Sequence, residues 1–118
     1  MLEIGCGLGM VGIAAARRGA DVLLTDFDDR GVDLARRHVA RNAVRARRER
    51  FDWSAPPPPG WAFDIVLGSD VLYRPDAHAE IGALAATLCE RESACVVVLA
   101  DPNRPAADGA RDAFERLG

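Results

Sequence analysis

The side chains with chemistry to offer sit in short polar breaks between apolar runs. The first break is Gly5-Cys6-Gly7-Leu8-Gly9, with Glu3 just before it and Gly12 just after. Glycine lets a turn take positive φ, and its missing Cβ lets a ligand approach the main chain. Residues 10–18 follow as a helix whose first N–H groups have no partner inside the helix and face the same spot. A strand over residues 20–25 then ends at Asp26. An acid roughly 20 residues past such a turn is positioned to accept from both hydroxyls of a ribose. Together these residues imply a nucleoside-containing cofactor.

Two cofactors compete for the glycines. Gly7-x-Gly9-x-x-Gly12 fits the dinucleotide fingerprint, with Asp26 at a tolerable distance. Glu3-x-Gly5-x-Gly7-x-Gly9 resembles instead the first motif of the seven-strand, Rossmann-like methyltransferases that use S-adenosylmethionine (SAM). Glu3 discriminates between them. A carboxylate near the end of a buried strand is costly without a partner, and the amino group of SAM would be one. The plainer alternative is a Glu3 that pairs with an arginine or caps a neighbouring loop.

A chain of 118 residues, 49% hydrophobic and 28% charged, fits one globular domain over residues 1–118. No apolar run approaches the length of a membrane span and no basic leader precedes one, so a cytoplasmic protein without membrane contact is expected. Cys6, Cys89 and Cys95 lack metal or redox spacing, and no metal is expected. All 15 basic residues are arginine, which excludes a P-loop or Schiff-base lysine. Ten of them fall in residues 1–50, most densely at Arg41, Arg45, Arg47, Arg48 and Arg50. Without interleaved aromatics, in a chain of net charge −3, that cluster reads as a solvated face rather than a nucleic-acid patch.

The remaining elements must position these residues. A helix over 31–42 with Asp28 or Asp29 as N-cap turns Val32, Leu34, Ala35, Val39 and Ala43 inward and leaves His38 on the surface. A weak strand at 48–51 delivers Asp52-Trp53, and the run from Ser54 through four prolines to Gly60 is a stiff connector. Residues 63–68 form a strand buried on both faces that opens at Ser69-Asp70-Val71-Leu72-Tyr73. A helix over 76–91, with His78 expected exposed, leads to a strand over 94–100 ending at Asp101-Pro102-Asn103-Arg104, and a last helix spans 105–117. This alternation predicts a doubly wound, mostly parallel sheet of about five strands in the order 3-2-1-4-5, with its ligand outside the carboxyl ends. Asp26, Asp52, Ser69, Asp70 and Asp101 all fall at those ends.

With these residues placed, the chain resembles methyltransferase family 16, the seven-strand SAM-dependent protein-lysine methyltransferases, and in particular bacterial relatives similar to the electron-transfer-flavoprotein β-subunit lysine methyltransferase. The resemblance assigns Glu3, Gly5, Gly7, Gly9, Asp26, Asp52, Trp53 and Ser69 to cofactor binding. Asp26 would take the ribose, and Asp52-Trp53 the adenine. Ser69-Asp70-Val71-Leu72-Tyr73 is similar to the family's D-x-x-Y/F motif, which makes Asp70 and Tyr73 the catalytic pair, and Asp101-Pro102-Asn103-Arg104 is similar to its D-P-x-R segment. The implied acceptor is a protein lysine. A small-molecule amine, an NAD-binding fragment or a non-catalytic remnant are the alternatives, and Asp70 as a helix cap with Tyr73 in the core is the plainer fate of that pair. Against a seven-strand fold the chain is expected to lack strands six and seven and to be cut at both ends.

Overall fold

The structure is a computed structural model and describes residues 1–115. Five strands, β1 (Leu2–Ile4), β2 (Leu23–Asp26), β3 (Arg47–Arg50), β4 (Ile65–Ser69) and β5 (Val96–Ala100), form one parallel sheet in the order β3-β2-β1-β4-β5. The helices are α1 (Met10–Ala16), α2 (Asp29–Arg41), α3 (His78–Arg91) and α4 (Ala110–Glu115), with 3-10 turns at Pro75–Ala77 and Pro105–Ala107. The expected sheet and its strand order are both present.

Strand periodicity divides the core between the two faces. Leu2, Ile4, Leu23 and Val66 pack with Ile81, Leu84 and Leu88 of α3, whereas Val22 and Leu24 pack with Ile13 of α1 and with Ala35 and Val39 of α2. Successive side chains of a strand point to opposite faces, so a parallel strand must be apolar throughout when helices cover both. β3 departs from that rule: its four residues, Arg47, Arg48, Glu49 and Arg50, are all exposed, and it lies at an edge.

Several local expectations shift. β2 begins at Leu23, because its pairing with β1 starts at Leu2. Leu34 is exposed, since the buried stripe of α2 is confined to Ala35 and Val39. Ile65 is also exposed, so β4 is covered fully only in its middle. His78 is buried rather than exposed, and its Nε2 lies 3.1 Å from the Leu72 carbonyl oxygen. The last expected helix is broken into a 3-10 turn and α4, and its expected end at residues 116–117 lies outside the described residues.

The proline connector is held by one side chain. Arg91, in the last turn of α3, donates to the carbonyls of Pro58 at 2.7 Å, Pro57 at 3.2 Å and Trp61 at 3.4 Å. Prolines leave carbonyl acceptors with no N–H of their own to offer a neighbour, and a guanidinium with several donors suits them. Beyond the clasp, Trp61 packs between Phe51 and Phe63, at centroid distances of 4.7 and 5.6 Å.

Candidate active site

The functional side chains gather where β1 meets β4. Chain order reverses there, since β1 continues outward to β2 and β3 while β4 continues to β5. Such a switch point opens a crevice at the carboxyl ends. Gly5, Gly7 and Gly9 all have positive φ, of 58°, 49° and 73°. Gly5 carries the tightest requirement: a Cβ there would stand 2.9 Å from Val71 Cγ1 and 3.1 Å from Trp53 Cζ3. The turn after β1 is therefore sandwiched between residues that follow β3 and β4. A Cβ at Gly7 would meet nothing within 4 Å, so the main chain there is open to a ligand.

Asp26 ends β2 beside this turn. Its Oδ2 accepts from the Gly7 N–H at 2.9 Å and its Oδ1 from the Asp28 N–H at 3.0 Å, with the residue 8% exposed. Each carboxylate oxygen has a second lone pair, so capacity remains for hydroxyl donors. Gly31 of α2 leaves the room, since a Cβ there would come 2.7 Å from Asp26 Cγ. On the other flank, His38 Nδ1 is 3.0 Å from the Leu8 carbonyl oxygen and ties α2 to the turn, a contact that its expected surface position did not reveal.

Glu3 lies beneath the turn. It is 3% exposed, and its Oε2 accepts from the Gly12 N–H at 2.7 Å. Burial pushes its carboxyl up to about 7, against the opposing effect of that hydrogen bond. The first turn of α1 is thus not a set of free donors, because Gly12 already gives its N–H to Glu3. The partner of Glu3 is a helix N–H, neither an arginine nor a neighbouring loop. At a value near 7, a cation arriving beside the group would draw off its proton.

Asp52 and Trp53 part company. Trp53 reaches Gly5, but Asp52 is exposed and accepts from the Ser54 N–H at 3.0 Å and the Ser54 hydroxyl at 2.9 Å, which hold its carboxyl below the usual range.

The opposite side of the crevice is built by the loops after β4 and β5. Ser69 is exposed at the end of β4, and Asp70 follows at φ 63°, a left-handed conformation that aspartate tolerates. The Asp70 N–H donates to the Ala100 carbonyl at 2.8 Å. Asp70 and Tyr73 are both exposed, and neither caps a helix nor enters the core. The buried His78, on the Leu72 carbonyl, fixes the far end of the same loop. Arg104, the last residue of the D-P-x-R segment, joins the site although its spacing in the sequence assigns it no role. Arg104 bridges Asp70 and Asp101 and lies 5.9 Å from the centre of the Tyr73 ring.

A cavity of about 640 Å³ lies elsewhere, between α3, β5 and α4, lined by Leu72, Cys89, Val97, Leu99 and Phe114 among others. It contains neither the glycine turn nor the strand-end acids, and it is a gap beside the β5 edge rather than the chemical centre.

The model of the lysine methyltransferase family matches residues 1–110. The chain belongs to that family. Among similar proteins, the protein N-lysine methyltransferase METTL21A of Mus musculus is 32% identical over 107 residues, which are 84% of this chain and 47% of that one. A ubiquinone biosynthesis O-methyltransferase of Sinorhizobium medicae is 38% identical over 72 residues, 61% of this chain and 29% of that one. Among solved structures, a TehB-like SAM-dependent methyltransferase from Corynebacterium glutamicum is similar at a TM-score of 0.71 and 28% identity, covering 99% of this chain and 63% of that one. The chain spans less than half the length of these two curated relatives. As a member of the lysine methyltransferase family it has SAM as its cofactor, and the SAM expectation stands over the dinucleotide one. The open main chain at Gly7, the spare acceptor capacity of Asp26 and the indole beside Gly5 fit such a nucleoside-bearing group.

Proposed function

We propose that this lysine methyltransferase family member transfers a methyl group to a lysine side chain of a protein substrate, with residues 1–118 forming part of a single methyltransferase domain. The observation that carries the reading is the placement of Asp70 and Tyr73 across the switch point from the glycine turn. The family description and the METTL21A likeness support the lysine acceptor.

SAM supplies a sulfonium methyl group, open to in-line attack by a nucleophile. Gly5, Gly7 and Gly9 let the main chain approach the cofactor, Asp26 accepts from its ribose hydroxyls, and Trp53 lays an indole face toward its base. Ser69 stands where β4 opens to the cofactor, and Glu3 faces the amino end from beneath the turn. Asp52 accepts from Ser54 with Oδ1, which leaves its Oδ2 to accept from the exocyclic amine of the base. The acceptor nitrogen attacks as a neutral amine and gains positive charge as it does so. Asp70 orients that amine and stabilises the growing charge, while Tyr73 offers a π face and excludes water.

A small-molecule amine is the second reading, favoured by the exposure of both Asp70 and Tyr73. No helix among the described residues is long and apolar enough to cross a membrane, and Cys6, Cys89 and Cys95 are free thiols. The free thiols fit a reducing compartment, and the cytoplasm is the location proposed for the protein. Two of the three arginines of β3 are turned to local acids, Arg47 to Asp21 at 3.2 Å and Arg50 to Asp29 at 3.7 Å, which argues against a nucleic-acid partner.

The test is Asp70→Asn in the full chain, with methyl-labelled SAM. Calorimetry should find parent-like SAM affinity, while label in the lysine fraction of hydrolysed lysate protein falls at least roughly 100-fold, as for loss of an electrostatic stabiliser. Unchanged transfer would leave Asp70 no catalytic part, and label confined to small amines would establish the second reading.

A further inference from the structure

The contacts of Arg104 are unequal. To Asp101, whose side chain is 8% exposed, it makes three hydrogen bonds: its N–H to Oδ1 at 2.8 Å, Nε to Oδ2 at 3.1 Å and Nη2 to Oδ2 at 2.5 Å. To Asp70, whose side chain is 62% exposed, it makes one ion pair, from the same Nη2 to Oδ1. Those hydrogen bonds hold the Asp101 carboxyl below the usual carboxylate range. Arg104 is therefore anchored on Asp101 and only reaches over to Asp70 and the Tyr73 ring.

The two groups proposed to receive the acceptor thus already face a cation, and it belongs to the chain itself. A lysine ammonium asks of the site what a guanidinium asks, a carboxylate oxygen and an aromatic face. We propose that Arg104 is a positioning and specificity residue for the methyl acceptor: it stands in the acceptor's place on Asp70 and Tyr73, and the incoming amine displaces it onto Asp101. This rests on the acceptor role proposed for Asp70. Displacement breaks two contacts, the ion pair to Asp70 and the approach to the Tyr73 ring, and leaves Arg104 anchored on Asp101. Asp70 does not follow Arg104 away, because its backbone is pinned to Ala100. Two carboxylates and one guanidinium leave a single net negative charge, enough for one cationic amine. A neutral acceptor gains only a hydrogen bond on Asp70 against the lost ion pair, so the device favours an amine that arrives as a cation and releases its proton to solvent at this exposed site before it attacks.

The probe is N-acetyl-lysine methylamide, titrated into the full chain and followed by NMR at the Tyr73 ring and the Asp70 amide, with SAM affinity measured in parallel by calorimetry. Arg104→Gln should bind the probe about two- to five-fold more tightly than the parent, the range for removing an exposed ion pair, and the gain should shrink at high salt. Arg104→Met is a second neutral variant and should behave the same way if the Gln protein folds poorly. Arg104→Lys, which keeps the charge, should stay near the parent, and Asp70→Asn should abolish probe binding. A purely structural Arg104 would give weaker binding on neutralisation. Equal or weaker binding by both neutral variants, or no binding by any protein, overturns the proposal. Failure of the parent to bind SAM would instead overturn the methyltransferase reading and leave the comparison of probe affinities intact.

Discussion

Glu3 ties the stability of the fold to pH. Its carboxyl titrates near 7 in the folded chain against 4.5 for an ordinary glutamate, because burial disfavours its charge. Between those values the folded state holds a proton that the unfolded state has lost, so this group lowers stability as pH rises from about 4.5 to about 7 and costs nothing further above that. Glu3→Gln keeps an acceptor for Gly12 and removes the titration. Urea unfolding should find the variant more stable than the parent at pH 8 and little different at pH 4.5. If Glu3 meets the amino group of SAM, binding at pH 7 should also expel about half a proton from it, visible as a buffer-dependent calorimetric heat that Glu3→Gln lacks. Asp26→Ala should weaken SAM by roughly 1.5–3 kcal/mol, the scale for hydrogen bonds to a charged group. Unchanged affinity in calorimetry would remove Asp26 from the ribose.

At the scale of elements, glycines separate packing from binding. At Gly12, on α1, a Cβ would lie 2.2 Å from Leu24 Cδ2 and 2.5 Å from Glu3 Oε2, so α1 rests directly on β1 and β2. Gly12→Ala should therefore cost about 1–3 kcal/mol of unfolding free energy, the range for an overpacked core. Gly7→Ala meets no atoms and suffers only its φ of 49°, so denaturation should register a smaller loss while calorimetry registers weakened SAM binding. The glycine turn and Asp26 were legible in the sequence because each is fixed by its distance from the end of a strand. The partner of Glu3 was not, since it depends on how closely α1 settles onto the sheet. Arg104 escaped for a related reason: its reach to Asp70 crosses from one strand end to the next, and spacing within a single segment carries no trace of it. His78 was misplaced because the carbonyl that satisfies it, on Leu72, belongs to an irregular loop.

At the scale of the whole molecule, the two borders of the sheet differ in kind. β3 presents three arginines and a glutamate, whereas β5 presents the exposed Val96 and Val98 with no strand beyond it among the described residues. An unpaired apolar edge invites another strand, and a charged edge refuses one. These residues on their own should associate with rising concentration in sedimentation, and Val98→Glu should suppress the association. A concentration-independent monomer would count against that expectation. The same asymmetry sets a limit on growth. Once two copies join through β5, both outer borders are arginine-rich and repel a third, so assembly by this route closes as a symmetric pair and has no means of extending into a fibre.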